Sequence, residues 1–456
     1  MANINFSKPA ALKSWVWLYI LPPRARDQWH SGPGQAPDKP VTDSVLHFGG
    51  VLRSMGMAVE APRGGMRLRL TGGRDAEQID NAVQQLQSTY QPGLIMGILS
   101  DKDSAVYNCM KQVCDVRRGI RNINIQARGL FDGQAQYCAN VGLKFNLKLG
   151  GANQALNRSD LGFFGDGKTM LVGIDVTHPS PGSASSAPSV AGIVASVDGQ
   201  LAQWPAEIKI QGAREEMVAD LEGLLKGRLR HWLTCNKRLP DNIVVYRDGV
   251  SEGQYDKVID TELPLLKAAC KATYPGPDTQ KGLPRMAIVV VGKRHNTRFY
   301  PTSNETADQK SASPLPGTVV DRGISEARHW DFFLQAHAAL QGTARPAHYF
   351  TVWDEIFYPT HPAGSGGPNA ADVLQSITHN LCYLFGRATK AVSVCPPAYY
   401  ADLVCTRARC YLSDLFDPSA DSMPSGSVAG TEGGGTAIDS KQVEIHPNVR
   451  NTMFYI

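Results

Sequence analysis

The chain has 456 residues, of which 46 are Lys or Arg and 42 are Asp or Glu, so its net charge is +4 with neutral histidines. The hydrophobic fraction of 42% and the charged fraction of 19% exclude a mostly disordered or fibrous chain. At this length we expect two or three domains. No apolar run approaches the ~18–20 residues of a membrane span. The best one, Trp15–Leu21, ends at Pro22.

The cysteines and the N-terminus both indicate an intracellular protein. Nine cysteines, an odd number without any CxxC pair, argue against a disulfide framework and against a structural zinc site. The N-terminus lacks the basic, apolar and small-residue segments of a secretion signal. We therefore predict a cytoplasmic protein with no membrane partner. The mild basic excess permits nucleic-acid binding but does not prove it.

The sequence pattern of residues 45–150 predicts alternating helices and strands. Residues 1–45 are predicted to be irregular because of their prolines, apart from a strand over Trp15–Leu21. Apolar residues at helical spacing from Ile79 to Tyr90 predict a helix. The elements that follow are a strand over 93–99, a helix over 103–116, a strand over 121–126 and a helix over 134–149. This alternation predicts an α/β unit with a parallel sheet.

A second unit is predicted after residue 150, where glycines and polar residues mark a boundary. Its elements, in chain order, are a strand over 169–176, a hairpin of strands over 189–196 and 201–210 joined by an Asp-Gly turn at 197–200, a helix over 212–233, and strands over 242–246 and 286–291. This order predicts a mixed sheet flanked by helices. Two segments rich in Ser, Gly, Pro and Asp, 303–318 and 416–440, are predicted to be mobile surface loops.

Two aspartates close apolar strands of this second unit. Asp175 ends the first strand, and Asp248 occupies the matching place on a later one. Taken singly, each residue is better explained as a cap of the following turn. Carboxylates at neighbouring strand ends can instead share Mg²⁺ ions, and two such ions clamp the oxygens of a phosphodiester displacement. The strand, hairpin, helix, strand order resembles the ribonuclease H fold and favours the metal interpretation.

Three motifs then resemble the signatures of an Argonaute PIWI domain. They are residues 173–179 (GIDVTHP), 246–254 (YRDGVSEGQ) and 397–402 (PAYYAD). The similarity continues through 292–295 (GKRH) and the terminal 453–456 (MFYI), and it covers nearly all of residues 45–456. The motifs most resemble those of eukaryotic, fungal-like members of the family.

The resemblance implies which carboxylates act. Asp175, Asp248 and Asp402 would bind two Mg²⁺ or Mn²⁺ ions, and Glu216 would complete a catalytic tetrad. A slip of one residue would make Glu215 the match instead. A glutamate in the first turn of a helix is also common for purely electrostatic reasons. The implied reaction is attack of a metal-activated water on a target-strand phosphodiester, with no covalent enzyme intermediate.

A second set of residues forms a candidate anion pocket in the first unit. Tyr107 and Lys111 are four residues apart on one predicted helix, and Lys144 and Lys148 repeat that spacing on another. Alone, such a lysine pair indicates only a solvated helix face. The unit resembles the Argonaute MID domain, in which these motifs bind a guide RNA 5′-phosphate and the tyrosine stacks on the first base. Arg407 matches a PIWI arginine that reaches this pocket.

The match to the MID domain departs at one position. The family commonly has Gln-Cys in the strand after the first helix, where this chain has Ile123-Asn124. Asn124 and Gln126 are the candidate substitutes for the missing pocket hydrogen bond. The loop over 100–105 lies where relatives read the first base.

Further residues match guide-backbone contacts of the family. They are Lys293, Arg294, Arg298, Arg387, Lys390, Ser393 and Tyr399. Any basic residue beside a nucleic-acid channel would match equally well.

The resemblance also assigns domains. It implies a linker over 1–44, a Rossmann-like MID domain over 45–151 and a ribonuclease H-like PIWI domain over 152–456. The N-terminal and PAZ portions of the family are not recognised. The chain therefore looks like a MID–PIWI lobe, either a fragment or a short natural form.

These expectations lead to one function and one alternative. The first is a small-RNA-guided silencing effector that binds a 5′-phosphorylated guide RNA and cleaves the paired target RNA as a metal-dependent endoribonuclease. The alternative is a guide-RNA binding module that recruits silencing partner proteins without cleaving. A guide-independent nuclease is disfavoured by the Tyr107 and lysine motifs. We expect the chain to be a monomer.

Overall fold

The computed structural model describes residues 5–29, 38–184, 186–276, 282–326, 329–361, 367–416 and 440–456. The chain forms two compact units. Unit 1 consists of Met1–Gln154, Pro179–Ala187 and Arg407–Ile456, and unit 2 consists of Ala155–His178 and Pro188–Thr406. Most of the loop predicted at 416–440 lies outside the described residues.

The strands fall into two groups along the chain. In chain order they are β1 (Ala11–Leu12), β2 (Trp15–Leu21), β3 (Ala58–Val59), β4 (Gly64–Arg69), β5 (Leu94–Leu99), β6 (Arg121–Gln126), β7 (Thr169–Thr177), β8 (Ser189–Ala195), β9 (Ala206–Gln211), β10 (Asn242–Asp248), β11 (Arg285–Gly292), β12 (Thr318–Val320), β13 (Trp330–Gln335) and β14 (Ala347–Asp354).

The α-helices of the described residues are α1 (Lys39–Ser54), α2 (Asp75–Tyr90), α3 (Ser104–Lys111), α4 (Ala127–Phe131), α5 (Ala135–Lys148), α6 (Leu221–Asn236), α7 (Tyr255–Lys257), α8 (Leu263–Thr273), α9 (Phe357–Thr360), α10 (Ala370–Leu381), α11 (Pro396–Tyr411), α12 (Ser413–Phe416) and α13 (Pro447–Arg450). A π-helix over Gln112–Arg118 extends α3, and a second one over Val258–Glu262 precedes α8. Among the described helices, none is both long and apolar enough to span a lipid bilayer.

Unit 1 is built on a four-stranded parallel sheet with the order β4-β2-β5-β6. All seven residues of β2 are buried, and they alternate between two cores. Trp15, Trp17 and Tyr19 pack with α1 and α5 on one face. The residues between them, such as Val16 and Leu18, pack with α2 and α3 on the other. The predicted parallel α/β unit is confirmed, because a strand covered on both faces must be apolar throughout.

The N-terminal segment differs from the predicted linker. Residues 1–44 contain β2, which lies between β4 and β5 in the sheet, and also the first turns of α1. Pro40 begins that helix instead of breaking it, because proline lacks only an N–H that has no partner in a first turn. Pro22 therefore follows a strand of unit 1, and Pro40 lies in the first turn of a helix, so neither marks an irregular linker.

Unit 2 contains an eight-stranded mixed sheet with the order β12-β13-β14-β11-β10-β7-β8-β9. The central strands β11, β10 and β7 are parallel, and the pairs toward both edges are antiparallel. Helices α6 and α8 cover one face through alternate residues of β7 and β10. The predicted mixed sheet flanked by helices is confirmed.

Two predicted boundaries of unit 2 were wrong. The strand predicted at 201–210 begins at Ala206. The Asp198 carboxylate accepts backbone N–H bonds from Gln200, Ala202 and Gln203, which lengthens the turn. The helix predicted at 212–233 begins at Leu221.

The segment before α6 is a loop held by side chains. Gln211 donates to the carbonyl of Met217 (3.0 Å) and accepts from the N–H of Ala219 (3.4 Å). These bonds satisfy backbone groups that a helix would otherwise pair. Glu216 therefore lies in a loop and not in the first turn of a helix. The segment 303–318 contains a short 3₁₀ turn, Asn304–Thr306, and a bridge between Ala307 and Pro314.

Candidate functional sites

Successive side chains of a β-strand point to opposite faces of the sheet, and this places Arg247 and Asp248 of β10 on different faces. Ile243 and Val245 belong to the core beneath α6 and α8. Arg247 therefore points to that face and Asp248 to the opposite one. On β7 the same alternation buries Ile174 under the helices and places Asp175 on the face of Asp248. Because β7 and β10 are neighbours, both buried carboxylates lie on the same face of adjacent strands.

The third carboxylate comes from α11, which packs closely on β7. A Cβ atom at Gly173 would lie 1.9 Å from the carbonyl oxygen of Pro397, so only glycine permits this approach. About two turns further along α11, the Cys405 thiol donates to the carbonyl of Asp175 (3.3 Å). Asp402 is three residues before Cys405 and shares its helix face. The structure thus brings Asp402 to the edge where Asp175 and Asp248 lie.

The electrostatics of this cluster are dominated by negative charge. Burial, followed by the charges of Asp248 and Asp402, raises the pKa of Asp175 to about 8. Burial also raises the pKa of Asp248, although Lys293 opposes the shift. Lys293 lies with Nζ 3.9 Å from Oδ2 of Asp248 and 5.7 Å from the ring centre of Tyr399. Such a cluster is stabilised by a cation.

Glu216 reaches this cluster from the loop before α6. Its Oε2 is 2.7 Å from Nε2 of His178, and its Oε1 is 3.0 Å from Nη1 of Arg247. Arg247 also donates to the backbone carbonyl of Glu216 (2.6 Å). A Cβ atom at Gly249 would lie 3.2 Å from Asp175 Oδ1 and 3.3 Å from Glu216 Oε1. Both carboxylates thus lie against Gly249, whose φ of +90° favours glycine.

Arg247 is completely buried and is neutralised by a second glutamate. Its Nε is 3.0 Å from Oε2 of Glu262, and its Nη2 is 3.0 Å from Oε1. Burial alone would lower the pKa of Arg247, but Glu262 and Glu216 raise it above its ordinary value. Glu262 also accepts from the N–H of Val218 (3.0 Å). Arg247 therefore ties the Glu216 loop to the sheet.

The carboxylate cluster fits hard divalent cations by its chemistry. All of its candidate ligands are oxygens, which Mg²⁺ and Mn²⁺ prefer. Within the part of the chain that the structure describes, no three Asp, Glu, His or Cys side chains converge to hold one ion. A Mg²⁺ ion needs only one or two protein carboxylates when water and phosphate oxygens supply its other ligands.

Unit 1 contains a cluster of opposite sign. Lys111 and Lys148 are only 1% and 2% exposed. Lys111 Nζ donates to the side-chain oxygen (2.5 Å) and the carbonyl (3.3 Å) of Asn122, and Lys148 Nζ donates to the same carbonyl (2.7 Å). Burial, followed by the charge of Arg407, lowers the pKa of Lys111 to about 7. Burial and Lys111 likewise lower the pKa of Lys148 well below its ordinary value.

Arg407 joins this cluster through a buried aspartate. Its Nη1 donates to Asp115 (3.1 Å) and to the carbonyl of Phe454 (2.8 Å), and its Nη2 donates to the Tyr107 hydroxyl (3.1 Å). Asp115 also accepts from Tyr411 (2.9 Å) and from the Asn122 amide (2.9 Å). Three buried cationic side chains, Lys111, Lys148 and Arg407, therefore surround one buried carboxylate. The excess positive charge is suited to an anion.

A cavity of about 560 Å³ opens beside Tyr107 and Lys144. The cavity is lined by the loop before α3 (Asp101, Lys102 and Asp103), by Ser104 at the start of α3, and by Asn124 and Gln126. The Asn124 amide is buried and has no hydrogen-bond partner among the described residues. Both candidate substitutes for the family's Gln-Cys therefore border a space next to the tyrosine.

Comparison with known proteins decides the family. The Piwi domain model matches residues 94–413, more than half of the chain. Argonaute 5 of Arabidopsis thaliana is 36% identical over 400 residues, which cover 83% of this chain and 38% of that protein. The argonaute MEL1 of rice is 38% identical over 381 residues, covering 77% of this chain and 33% of that protein. The chain belongs to the Argonaute family.

Solved structures agree with this assignment. The MID–PIWI domains of the Neurospora crassa Argonaute QDE-2 match with a TM-score of 0.68 at 31% identity, covering 99% of this chain and 100% of that one. The C-terminal lobe of a budding yeast Argonaute matches with a TM-score of 0.80 at 27% identity, covering 99% and 87%. The predicted resemblance and the ribonuclease H-like PIWI fold are confirmed. The chain spans about a third of the length of the curated Argonautes it matches.

The structure brings most predicted site residues of this Argonaute into two groups. Asp175, Glu216, Asp248 and Asp402 lie at one end of the unit 2 sheet. Tyr107, Lys111, Lys148 and Arg407 share one network, and the charge of Lys144 acts on Lys111. Glu216 and not Glu215 points to the carboxylates, because Glu215 is exposed. The catalytic and binding roles of these residues stay predictions.

The residues predicted to contact the guide backbone have varied surroundings. Lys293 contacts the carboxylate cluster, and Tyr399 stacks on Phe385 with ring centres 4.3 Å apart. The Arg298 guanidinium donates to the carbonyls of His295 (3.1 Å) and Thr297 (2.6 Å). Arg294 and Lys390 are exposed, whereas Arg387 and Ser393 are half-buried. Their contact with a guide stays a prediction.

Several residues that organise the two sites were missed from the sequence. Arg247 could have been found, because an arginine within an apolar strand requires a buried partner. Asp115 follows Tyr107 and Lys111 at the same spacing of four and could also have been found. Asn122, Tyr411 and Glu262 carry no such signal, because their partners are distant in sequence.

Proposed function

We propose that this chain is the guide-binding and target-cleaving lobe of a small-RNA-guided silencing effector. Unit 1 anchors the 5′-phosphorylated end of a guide RNA. Unit 2 cleaves the paired target RNA as a metal-dependent endoribonuclease. The related Kluyveromyces polysporus Argonaute, which has a TM-score of 0.77 and 27% identity, was solved with a guide RNA.

The buried cations of unit 1 carry the guide-binding part of this proposal. Lys111, Lys148 and Arg407 outnumber the single buried carboxylate of Asp115. A terminal phosphate carries up to two negative charges and accepts several charge-assisted hydrogen bonds. Its binding would restore the charge balance. The adjacent cavity would then take the first base, with Tyr107 available for stacking.

A binding experiment on this chain tests the anchor. The affinity for one short RNA is measured with a 5′-phosphate and with a 5′-hydroxyl. We expect at least a tenfold preference for the phosphate, about 1.4 kcal/mol. Lys111→Ala and Lys148→Ala should remove the preference. Lys39→Ala, which changes an exposed lysine on α1, should keep it. Equal affinity of the wild-type chain for both RNAs would contradict the anchor.

The cleavage part depends on the carboxylate cluster. Divalent cations bound there would activate the attacking water and stabilise the leaving 3′-oxygen. Asp175, Asp248 and Asp402 supply oxygens for those cations. Glu216 is held toward the same point by His178 and Arg247. The residues of the chain thus position charge, and none has to act as a covalent nucleophile.

Metal binding can be measured apart from cleavage. With guide and target RNA present, we expect the chain to bind Mn²⁺ in an electron paramagnetic resonance titration. Asp175→Asn should abolish this binding, and Asp260→Asn, an exposed position, should not. Cleavage of the target should require Mg²⁺ or Mn²⁺ and should disappear in Asp248→Ala.

The alternative is a guide-binding module that recruits silencing partners without cleaving. This alternative requires only the buried cations of unit 1 and no metal ion at the carboxylates of unit 2. Strong 5′-phosphate preference without Mn²⁺ binding or target cleavage would support this alternative. Divalent-metal-dependent cleavage of the target that Asp248→Ala removes would exclude it.

A further inference from the structure

Asn122 lies at the centre of the basic cluster of unit 1. It is fully buried on β6, between α3 and the end of α5. Its side-chain oxygen and its carbonyl accept from Lys111, and the same carbonyl accepts from Lys148. Its amide nitrogen donates to Asp115. One residue therefore contacts both lysines and the carboxylate that holds Arg407.

We infer that Asn122 is a positioning residue that aims both lysines at the guide 5′-phosphate, an inference that rests on the proposed function. A lysine ammonium has three N–H donors in a tetrahedral arrangement. The Asn122 carbonyl accepts a donor from both ammonium groups, and its side-chain oxygen accepts a second one from Lys111. The remaining donors of each therefore point away from Asn122. A phosphate oxygen can bridge them there.

The chemistry of an amide is what this position requires. An amide presents an acceptor and a donor at once. At residue 122 the acceptor meets Lys111 and the donor meets Asp115. An aspartate could not donate to Asp115 and would place a second carboxylate beside the lysines. An alanine would leave Lys111 and Asp115 with unmet hydrogen bonds in a buried site.

The contact to Asp115 extends the effect to Arg407. Asp115 holds Asn122 through one carboxylate oxygen and Arg407 with Tyr411 through the other. Asn122 thus bonds directly to Lys111 and Lys148, and it is linked to Arg407 through Asp115. Loss of its side chain should lower recognition of the phosphate and leave contacts with the rest of the RNA unchanged.

The test compares Asn122→Asp, Asn122→Ala and Asn122→Ser with the wild-type chain. Affinities are measured for one ten-nucleotide RNA with a 5′-phosphate and with a 5′-hydroxyl. Where the wild type prefers the phosphate at least tenfold, the variants should show less than a threefold preference. Their affinity for the hydroxyl form should change less than twofold. Asn81→Asp, on the exposed side of α2, is the matched control and should keep the full preference.

The outcomes separate this inference from the proposed function. No phosphate preference in the wild-type chain would reject the anchor itself. A wild-type preference retained in a folded Asn122 variant would overturn the positioning role alone. Melting curves identify the folded variants, and the three substitutions differ in size and charge so that one folded variant suffices. Equal losses for both RNAs would also reject the inference, because a merely structural role predicts that result.

Discussion

The two clusters are opposite in charge and similar in construction. In unit 1, three buried cations surround the carboxylate of Asp115. In unit 2, the carboxylates of Asp175, Asp248 and Glu216 accompany the guanidinium of Arg247. Each cluster contains one buried counter-charge that the protein saturates with hydrogen bonds. The internal counter-charge fixes geometry, and the excess charge is left for a ligand.

The pKa shifts follow the same division. Burial and the neighbouring cation Arg407 lower the pKa of Lys111, whereas burial and neighbouring carboxylates raise the pKa of Asp175. In both cases the shift of the pKa favours the neutral form of the side chain, Lys111 or Asp175. In the proposed function, a ligand of opposite charge restores the charged form: an anion in unit 1 and a cation in unit 2. Substitution of the internal counter-charges, Asp115 and Arg247, can therefore be compared with substitution of the residues proposed to bind ligands.

The largest expected effect comes from the counter-charge of unit 2. Arg247→Ala leaves the buried carboxylates of Glu262 and Glu216 without their cation. We expect the free energy of unfolding to fall by about 3–5 kcal/mol, as for a broken buried ion pair. Urea denaturation measures this change. Arg238→Ala removes an exposed ion pair with Asp241 and should cost less than about 1 kcal/mol. Equal losses of unfolding free energy in the two variants would show that the buried ion pairs of Arg247 contribute no more than an exposed one.

The position of Asp402 depends on the close approach of α11 to β7 at Gly173. Gly173→Ala would place a methyl group 1.9 Å from the Pro397 carbonyl and push α11 away from β7. Overpacking of this kind costs about 1–3 kcal/mol. The control, Gly50→Ala on α1, has open space at its Cβ and should stabilise by about 0.5–1 kcal/mol. A fully stable Gly173→Ala chain would show that α11 can shift freely.

The positive cluster should couple phosphate binding to pH. Lys111 has a pKa of about 7 and loses its proton as the pH rises above that value. A bound phosphate favours the charged form, so binding above pH 7 takes up a proton. Affinity for the 5′-phosphate should fall between pH 7 and 9, by up to about tenfold per unit. Calorimetry in buffers of different ionisation enthalpy measures the uptake. Lys111→Met should reduce it but not abolish it, because the pKa of Lys148 is lowered as well. No uptake in the wild type would contradict this account.

The smallest expected effect concerns the loop of Glu216. His178→Ala removes the hydrogen bonds to Glu216 and to Ser189, each 2.7–2.8 Å long. We expect a loss of about 1 kcal/mol in the free energy of unfolding. Glu215→Gln, at the neighbouring exposed position, should change it by less than about 0.5 kcal/mol. A larger effect at Glu215 would mean that the loop is held in another register.

Much of the fold follows from local sequence patterns. The apolar run 93–99 predicted β5, because a strand buried on both faces is apolar throughout. The helical spacing of apolar residues from Ile79 to Tyr90 predicted α2, because only one face of that helix is buried. The start of α6 was not predictable in this way. Met217 continues the helical spacing, yet Gln211 holds the backbone of that loop by side-chain bonds.

The candidate sites were predicted only in part, for the same reason. The residues proposed to contact a ligand lie in motifs, such as Asp248 in YRDG or Lys111 four residues after Tyr107. Residues that hold them, such as Glu262 and Asn122, depend on tertiary contacts between distant segments. Their side chains carry no periodic signal. Three-dimensional placement was therefore needed to find the counter-charges.

The most direct test of the central claim is a crystal structure of this chain with a 5′-phosphorylated oligonucleotide. The account predicts density for the phosphate within about 3 Å of the Nζ atoms of Lys111 and Lys148, with Asn122 still bonded to both. Density for the phosphate elsewhere on the chain, with the two lysines unchanged and not in contact with it, would contradict the claim.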